Sequence, residues 1–370
     1  MTMDIRKIDK NFDTSFRYPE DMEWLSVREL PFSVHGVTYS EEEGIYRRLD
    51  RRVAEATNEG VAALSKNTSG GRVRFATDSP YIVVRLEEPF AVPTSQMTFA
   101  ARFGVSVYAN GVFEGVVAPT YEQIISADPK RGGTGKLVFD GIRRPYRESP
   151  DVYQVELCLP ISTQVNAIYV GLQKGCVLQA PQAYKHQSPI LFYGSSITQG
   201  SCACKPGDDY ISRLSRMLDT DVINLGFSGN AMAESAIANH LAAQDPSVFV
   251  LDYDYNAPDA EYLKKTHYPL YETVRRAHPT TPIIFMTMPT AEGYQNRPWF
   301  RERREVILES VSRAKAAGDE NLYFVDCYGI FGELHNGECG TADTCHPDSL
   351  GFFRMAERLY PILNKLLNKE

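Results

Sequence analysis

The 370-residue sequence has no long cluster of lysine and arginine, and its formal net charge is −8. Such a chain repels nucleic acid and other polyanions, whereas a neutral or weakly cationic substrate meets no such barrier. No stretch approaches the roughly 18 consecutive apolar residues that a membrane span requires. The start, MTMDIRKIDKNFDTSF, has neither the basic opening nor the apolar run of a secretory signal, so a cytoplasmic protein is expected. Tryptophan occurs only as Trp24 and Trp299. Cysteine occurs seven times, an odd number that suits free thiols in a reducing compartment better than a disulfide framework. Cys202-Ala-Cys204 is not CxxC and no histidine-rich segment accompanies it, so it is read as loop packing and no metal is expected.

What is present is ordinary globular material, 43% hydrophobic and 23% charged, in a chain long enough for two domains. The first half shows short Val/Ile/Phe/Tyr-rich runs between turn residues. Val73–Phe75, Tyr81–Leu86, Met97–Ala100, Val105–Tyr108, Lys136–Phe139, Val152–Leu159 and Ala167–Leu172 read as strands. Asn110-Gly111 reads as a hairpin turn, since both residues tolerate positive φ. A sandwich or jelly roll follows over residues 1–185. Residues 128–135 read as a long Gly-rich loop, and Gln179 to Pro189 as a linker.

Over residues 186–370 the pattern changes to α/β. Continuous apolar strands at 190–193, 222–227, 248–253, 283–288 and 323–325 alternate with amphipathic segments at 210–218, 262–276, 300–317 and 350–367. Strands apolar on both faces belong in a parallel sheet covered by helices, hence a three-layer αβα domain.

Four segments at strand ends carry chemistry. Leu191-Phe-Tyr-Gly-Ser-Ser-Ile-Thr-Gln-Gly200 runs from a strand into a tight turn, which exposes a serine at the edge where open α/β sheets bind ligands. Gly229, in Asn224-Leu-Gly-Phe-Ser-Gly-Asn230, can present an unobstructed backbone N–H to an oxyanion. Asn256, after Leu251-Asp-Tyr-Asp-Tyr, can turn its amide into the same cleft; Asp252 and Asp254 beside it are read as structural. In Asp343-Thr-Cys-His346 the carboxylate can hold the imidazole Nδ1–H, leaving Nε2 to take a serine proton. The other histidines, His35, His186, His240, His267, His278 and His335, have no motif around them and read as surface or packing residues.

Taken in order, Gly194-Ser195-Ser196, Gly229, Asn256 and Asp343-x-x-His346 resemble the four blocks of the SGNH (GDSL-type) hydrolase superfamily. Two departures stand out: Ser195 replaces the usual Asp of Gly-Asp-Ser, and Ala257 replaces the Asp that commonly follows the third-block Asn. Register with Ile197-Thr198 favours Ser196 as nucleophile, with Ser195 as the alternative. The resemblance implies a flavodoxin-like fold and a serine esterase without cofactor. Ser196, His346 and Asp343 would form the triad, and Ser196, Gly229 and Asn256 the oxyanion hole. A β-sandwich in front resembles two-domain carbohydrate acetyl esterases; Phe103-Gly-Val-Ser-Val-Tyr108 is partly similar to the Gly-x-Asp-Leu-Tyr element of one such module. The implied substrate is an O-acetylated mannan or xylan oligosaccharide, with Trp299 a candidate for stacking on a sugar ring. Rival functions are a lipid or short-chain esterase or thioesterase, and a non-catalytic glycan-binding protein. The oligomeric state stays open, a homo-oligomer included.

Overall fold

A computed structural model describes residues 17–146, 151–293, 297–332 and 339–368. The front half is two antiparallel sheets face to face. One has the order Met22–Ser26, Ala167–Gln173, Ile82–Pro89, Lys136–Arg143. The other runs Leu178–Gln179, Arg72–Thr77, Tyr153–Cys158, Val105–Ala109, Val112–Val117, with Ser33–His35 also paired to Arg72–Thr77. Alternate residues point inward, as the pleat requires. Ile82, Val84 and Leu86 of one sheet and Tyr153, Val155 and Leu157 of the other bury themselves in a single apolar cluster. Two such sheets around one core make a β-sandwich. Asn110 and Gly111 both take positive φ, 47° and 79°, and close the hairpin between Val105–Ala109 and Val112–Val117.

Not every front run is a strand. Met97 to Ala100 leads instead into the helix Phe99–Phe103, because the Thr98 side chain accepts the Ala101 N–H at 2.9 Å and caps it. That local bond outweighs the β-preference of Met-Thr-Phe. Residues 128–135 contain the 3-10 turn Pro129–Arg131. The polar stretch before Pro189 is shorter as a linker than its composition suggests. The strand His186–Gly194 already begins within it, with an irregular register between His186 and Ile190.

The back half holds five parallel strands in the order Thr220–Gly226, His186–Gly194, Val248–Asp252, Ile283–Met286, Leu322–Val325. In chain order this is 2-1-3-4-5, the flavodoxin-like arrangement. Both faces are apolar, so successive residues serve opposite layers. Leu191 and Tyr193 join the cluster that contains Leu263, Val274 and Ile307 of helices Ala260–Ala277 and Pro298–Ala316. Ile190 and Phe192 join the cluster with Leu214 of Tyr210–Leu218 and Phe352 and Leu359 of Ser349–Asn368. No described helix is long and apolar enough to cross a membrane.

The halves are joined by more than the chain. Helices Arg51–Thr57 and Glu59–Leu64, capped by Asp50 and Asn58, place Ala54 and Val61 in the core of the back half. Arg48, buried, donates to the carbonyls of Asn67 and Leu64 on its own side and to those of Asn224 and Gly226 across the junction.

Candidate active site

Three strands end side by side at the carboxyl edge: Gly194 pairs with Gly226 on one flank and with Asp252 on the other. This is the point where the strand order reverses, the usual ligand position in open α/β sheets. A Cβ on Gly194 would lie 2.1 Å from both the Asp252 carbonyl oxygen and Thr198 Oγ1, so glycine alone lets the chain turn here. The structure separates the two serines that follow. Ser195 is buried as the N-cap of helix Ser196–Gln199, its Oγ accepting the Ile197 N–H at 3.1 Å. Ser196 begins the helix, and its Oγ lies 2.9 Å from His346 Nε2.

His346 stands at the end of a turn that precedes helix Ser349–Asn368. Its Nδ1 is 2.8 Å from Asp343 Oδ2, while Asp343 Oδ1 accepts the backbone N–H groups of Cys345 (3.1 Å) and His346 (2.7 Å). The three-residue spacing therefore does two things: it fixes the carboxylate and it aims the ring. Ser196, His346 and Asp343 form one unbroken chain of hydrogen bonds. The Cys345 sulfur and the Asp343 carboxylate push the imidazole up to about 9, against the opposing effect of burial. Burial pushes the Asp343 carboxyl up, but the His346 N–H and ring and the Cys345 N–H outweigh it and hold it below the usual range.

Gly229 and Asn256 sit on the two flanking loops. Gly229 has φ +71°, exposed, with open space where a Cβ would be. Asn256 closes the 3-10 turn Asp254–Asn256, and its Oδ1 accepts the Ala231 N–H at 3.2 Å. With the carbonyl so engaged, the amide N–H₂ of Asn256 remains as a donor. Gln199, buried, accepts the Ser228 N–H at 3.0 Å and ties the Gly229 loop to the serine helix. Asp252 and Asp254 are buried and pushed up to about 8 and about 7, chiefly by burial. Their bonds go to Thr198, Tyr210 and the Met288 N–H, so both are internal braces.

Trp299 is half-buried, its ring centroid 6.5 Å from that of Tyr255, the neighbour of Asn256. It packs against the apolar layer of the last helix. Residues 294–296 of its loop lie outside the described residues, as does His335. Cys202 lies at positive φ (71°), with its sulfur within 4.8 Å of ligating atoms of Asp343 and His346. Those atoms are engaged in the hydrogen-bond chain, so the trio is a poor open metal set. All seven cysteines are free.

Among the histidines without a motif, His267 is buried between Tyr253 and Phe285, as a packing residue should be. His35 is different. It bonds Ser33 Oγ through Nε2 and Asp221 Oδ2 through Nδ1, a polar network that no local motif announces. Gln199 and Gln96, whose Nε2 reaches Asp343 Oδ2 at 3.2 Å, were also invisible as site neighbours.

Comparison with known proteins agrees with this two-part fold. Residues 187–364 match the GDSL-like lipase/acylhydrolase family. Residues 22–178 match the N-terminal domain of SGNH hydrolase-type esterases. A Bacteroides ovatus ATCC 8483 protein described as a GDSL-like lipase is 27% identical, with TM-score 0.80 over 94% of this chain and 98% of the other. The salicylyl-acyltransferase SsfX3 from a tetracycline biosynthetic pathway is 18% identical, with TM-score 0.73 over 94% and 98%. An acetyl xylan esterase from the rumen bacterium Butyrivibrio proteoclasticus is 12% identical, with TM-score 0.58 over 94% and 99%. No curated protein matches in sequence.

Proposed function

Since the chain belongs to the GDSL-like (SGNH) hydrolases and is a carboxylic ester hydrolase, we propose that it removes O-acetyl groups from acetylated mannan or xylan oligosaccharides through Ser196, His346 and Asp343. The observation that carries the reading is the unbroken Ser196–His346–Asp343 chain at the strand-order switch point.

Ser196 Oγ attacks the acetyl carbonyl while His346 Nε2 takes its proton. Asp343 holds Nδ1–H, keeps the tautomer and stabilises the imidazolium. The tetrahedral oxyanion is held by the N–H groups of Ser196 and Gly229 and by the Asn256 amide. The bond from the carbonyl carbon to the sugar oxygen then breaks as His346 protonates that oxygen, which releases the sugar hydroxyl and leaves acetyl-Ser196. Water, deprotonated by His346, repeats the attack and releases acetate.

The acetylated sugar is supported by the architecture shared with the acetyl xylan esterase, β-sandwich included. Trp299, beside the Asn256 turn, is the candidate for ring stacking. Seven free thiols favour a reducing compartment, where the substrate is an imported oligosaccharide. The test is mass spectrometry of acetylated manno- and xylo-oligosaccharides before and after incubation. Stepwise loss of 42 Da acetyl units, roughly the mass of ketene, is expected with wild type and not with Ser196→Ala. Preference for long acyl esters would replace this reading with a lipid esterase.

A further inference from the structure

Among the described residues the front half touches the proposed triad at one polar point, and resting on that assignment we infer that Gln96 is a positioning residue for the ester hydrolysis, acting through Asp343. Among the described residues the Asp343 carboxylate has four donors. Three come from its own turn: the N–H groups of Cys345 and His346 on Oδ1, and His346 Nδ1 on Oδ2. The fourth is Gln96 Nε2, which shares Oδ2 with the imidazole and comes from 247 residues away.

Gln96 is itself exposed, but the segment it heads is anchored. Two residues on, Thr98 Oγ1 donates to the Cys204 carbonyl at 2.7 Å. Cys204 lies in the loop that follows the Ser196 helix. Between them Met97 packs against the apolar layer that contains Ile197 and Phe352. Thr98 also caps helix Phe99–Phe103, whose Ala101 carbonyl accepts the Ile161 N–H at 3.0 Å. Residues 96–98 thus strap the acid's turn to the nucleophile's loop, and both contacts come from a domain that holds no member of the triad.

The chemical effect follows from where the amide donates. A neutral N–H on Oδ2 draws charge from the oxygen that faces His346. It also occupies a lone pair that water would otherwise compete for. Among the described residues, the titratable groups shown in contact with the Asp343–His346 pair are Cys345 and Cys202, and no side-chain cation bonds the Asp343 carboxylate. A charge placed at position 96 therefore acts on the Asp343–His346 pair from one hydrogen bond away, screened by solvent and salt.

The experiment measures kcat, KM and the pH profile of kcat/KM on an acetyl ester for Gln96→Ala, Gln96→Glu and Gln96→Lys. Gln96→Ala should lower kcat about two- to tenfold, the range of one neutral hydrogen bond, with KM nearly unchanged. The acid limb should shift in order of charge: upward for Glu, which favours the imidazolium, and downward for Lys. A Thr98→Val variant, which loosens the anchor and leaves Gln96 in place, should show a smaller kcat loss than Gln96→Ala. Three folded variants with wild-type kcat and a common acid limb overturn the inference. Ser196→Ala runs alongside: if it retains activity, the triad assignment fails instead, whatever the position-96 variants do.

Discussion

Among the described residues are two serine–histidine–aspartate chains, and on distance alone they are twins. Ser196–His346–Asp343 has links of 2.9 and 2.8 Å; Ser33–His35–Asp221 has links of 2.8 and 2.9 Å. A cleft of about 380 Å³ even adjoins the second. The surroundings separate them. Ser196 starts a helix at the carboxyl edge of the parallel sheet, flanked by Gly229 and Asn256. Ser33 lies in a strand laddered to Arg72–Thr77, and Asp221 stands near the opposite, amino end of Thr220–Gly226. Among the described residues Asp343 receives only neutral donors besides its histidine, whereas Asp221 is ion-paired to buried Arg72 and accepts the Val222 N–H. A carboxylate already neutralised by a guanidinium has little left to stabilise an imidazolium. The second chain is a joint between the halves. A Ser–His–Asp distance pattern becomes chemistry only where donors for an oxyanion converge and the acid's charge is unspent.

The contrast can be broken most directly at the serines. Ser196→Ala should lower kcat at least about 10,000-fold with the fold intact, and a fluorophosphonate should label Ser196 alone. A label on Ser33 found by peptide mapping would erase the distinction. Asn256→Ala, which removes one proposed oxyanion donor, should cost about 100- to 1,000-fold in kcat with KM little changed. The pH profile comes next. In the proposed mechanism His346 takes the serine proton only when neutral, and its value is raised to about 9, so activity should rise about tenfold per pH unit below that point. A plateau already at pH 7 would show that the raised basicity is not felt in catalysis.

At the joint the readout is stability. Asp221→Asn should cost about 3 kcal/mol in denaturant unfolding, because it leaves Arg72 buried without its anion. Burial pushes the Asp221 carboxyl up, but His35 and Arg72 hold it below the usual range. Its stabilisation is therefore complete above the unfolded carboxylate value and lost as the pH falls through the lowered one. Smallest is Ser33→Ala, expected to cost about 1 kcal/mol and to leave kcat within about twofold.

The back half was legible because each strand is apolar on both faces and each helix repeats at helical spacing, so Leu191 beside Phe192 already implies two covered layers. The turn residues were legible too, since Asp343 and His346 meet within a single turn and Gly229 sits directly past a strand. Short capped elements in the β-rich half escaped: Thr98 and Asn58 each decide a helix with one side-chain bond that leaves no periodic trace. Contacts between distant segments escaped for a different reason. Gln96 with Asp343, Gln199 with Ser228 and His35 with Asp221 depend on how the two halves dock, and that is written in no local pattern.

Arg48 bears on how the protein can be cut. Strand Thr220–Gly226 is the outermost of its sheet, and two of its carbonyls are answered by that one guanidinium from upstream. Expressed from residue 186 onward, the back half would show an unprotected strand edge and, beside helix Ser235–Ala242, the bare apolar patch that Ala54 and Val61 had covered. Such edges recruit one another. The two halves divide cleanly in sequence, yet the smallest soluble hydrolase that can be excised from this chain must reach back past Arg48.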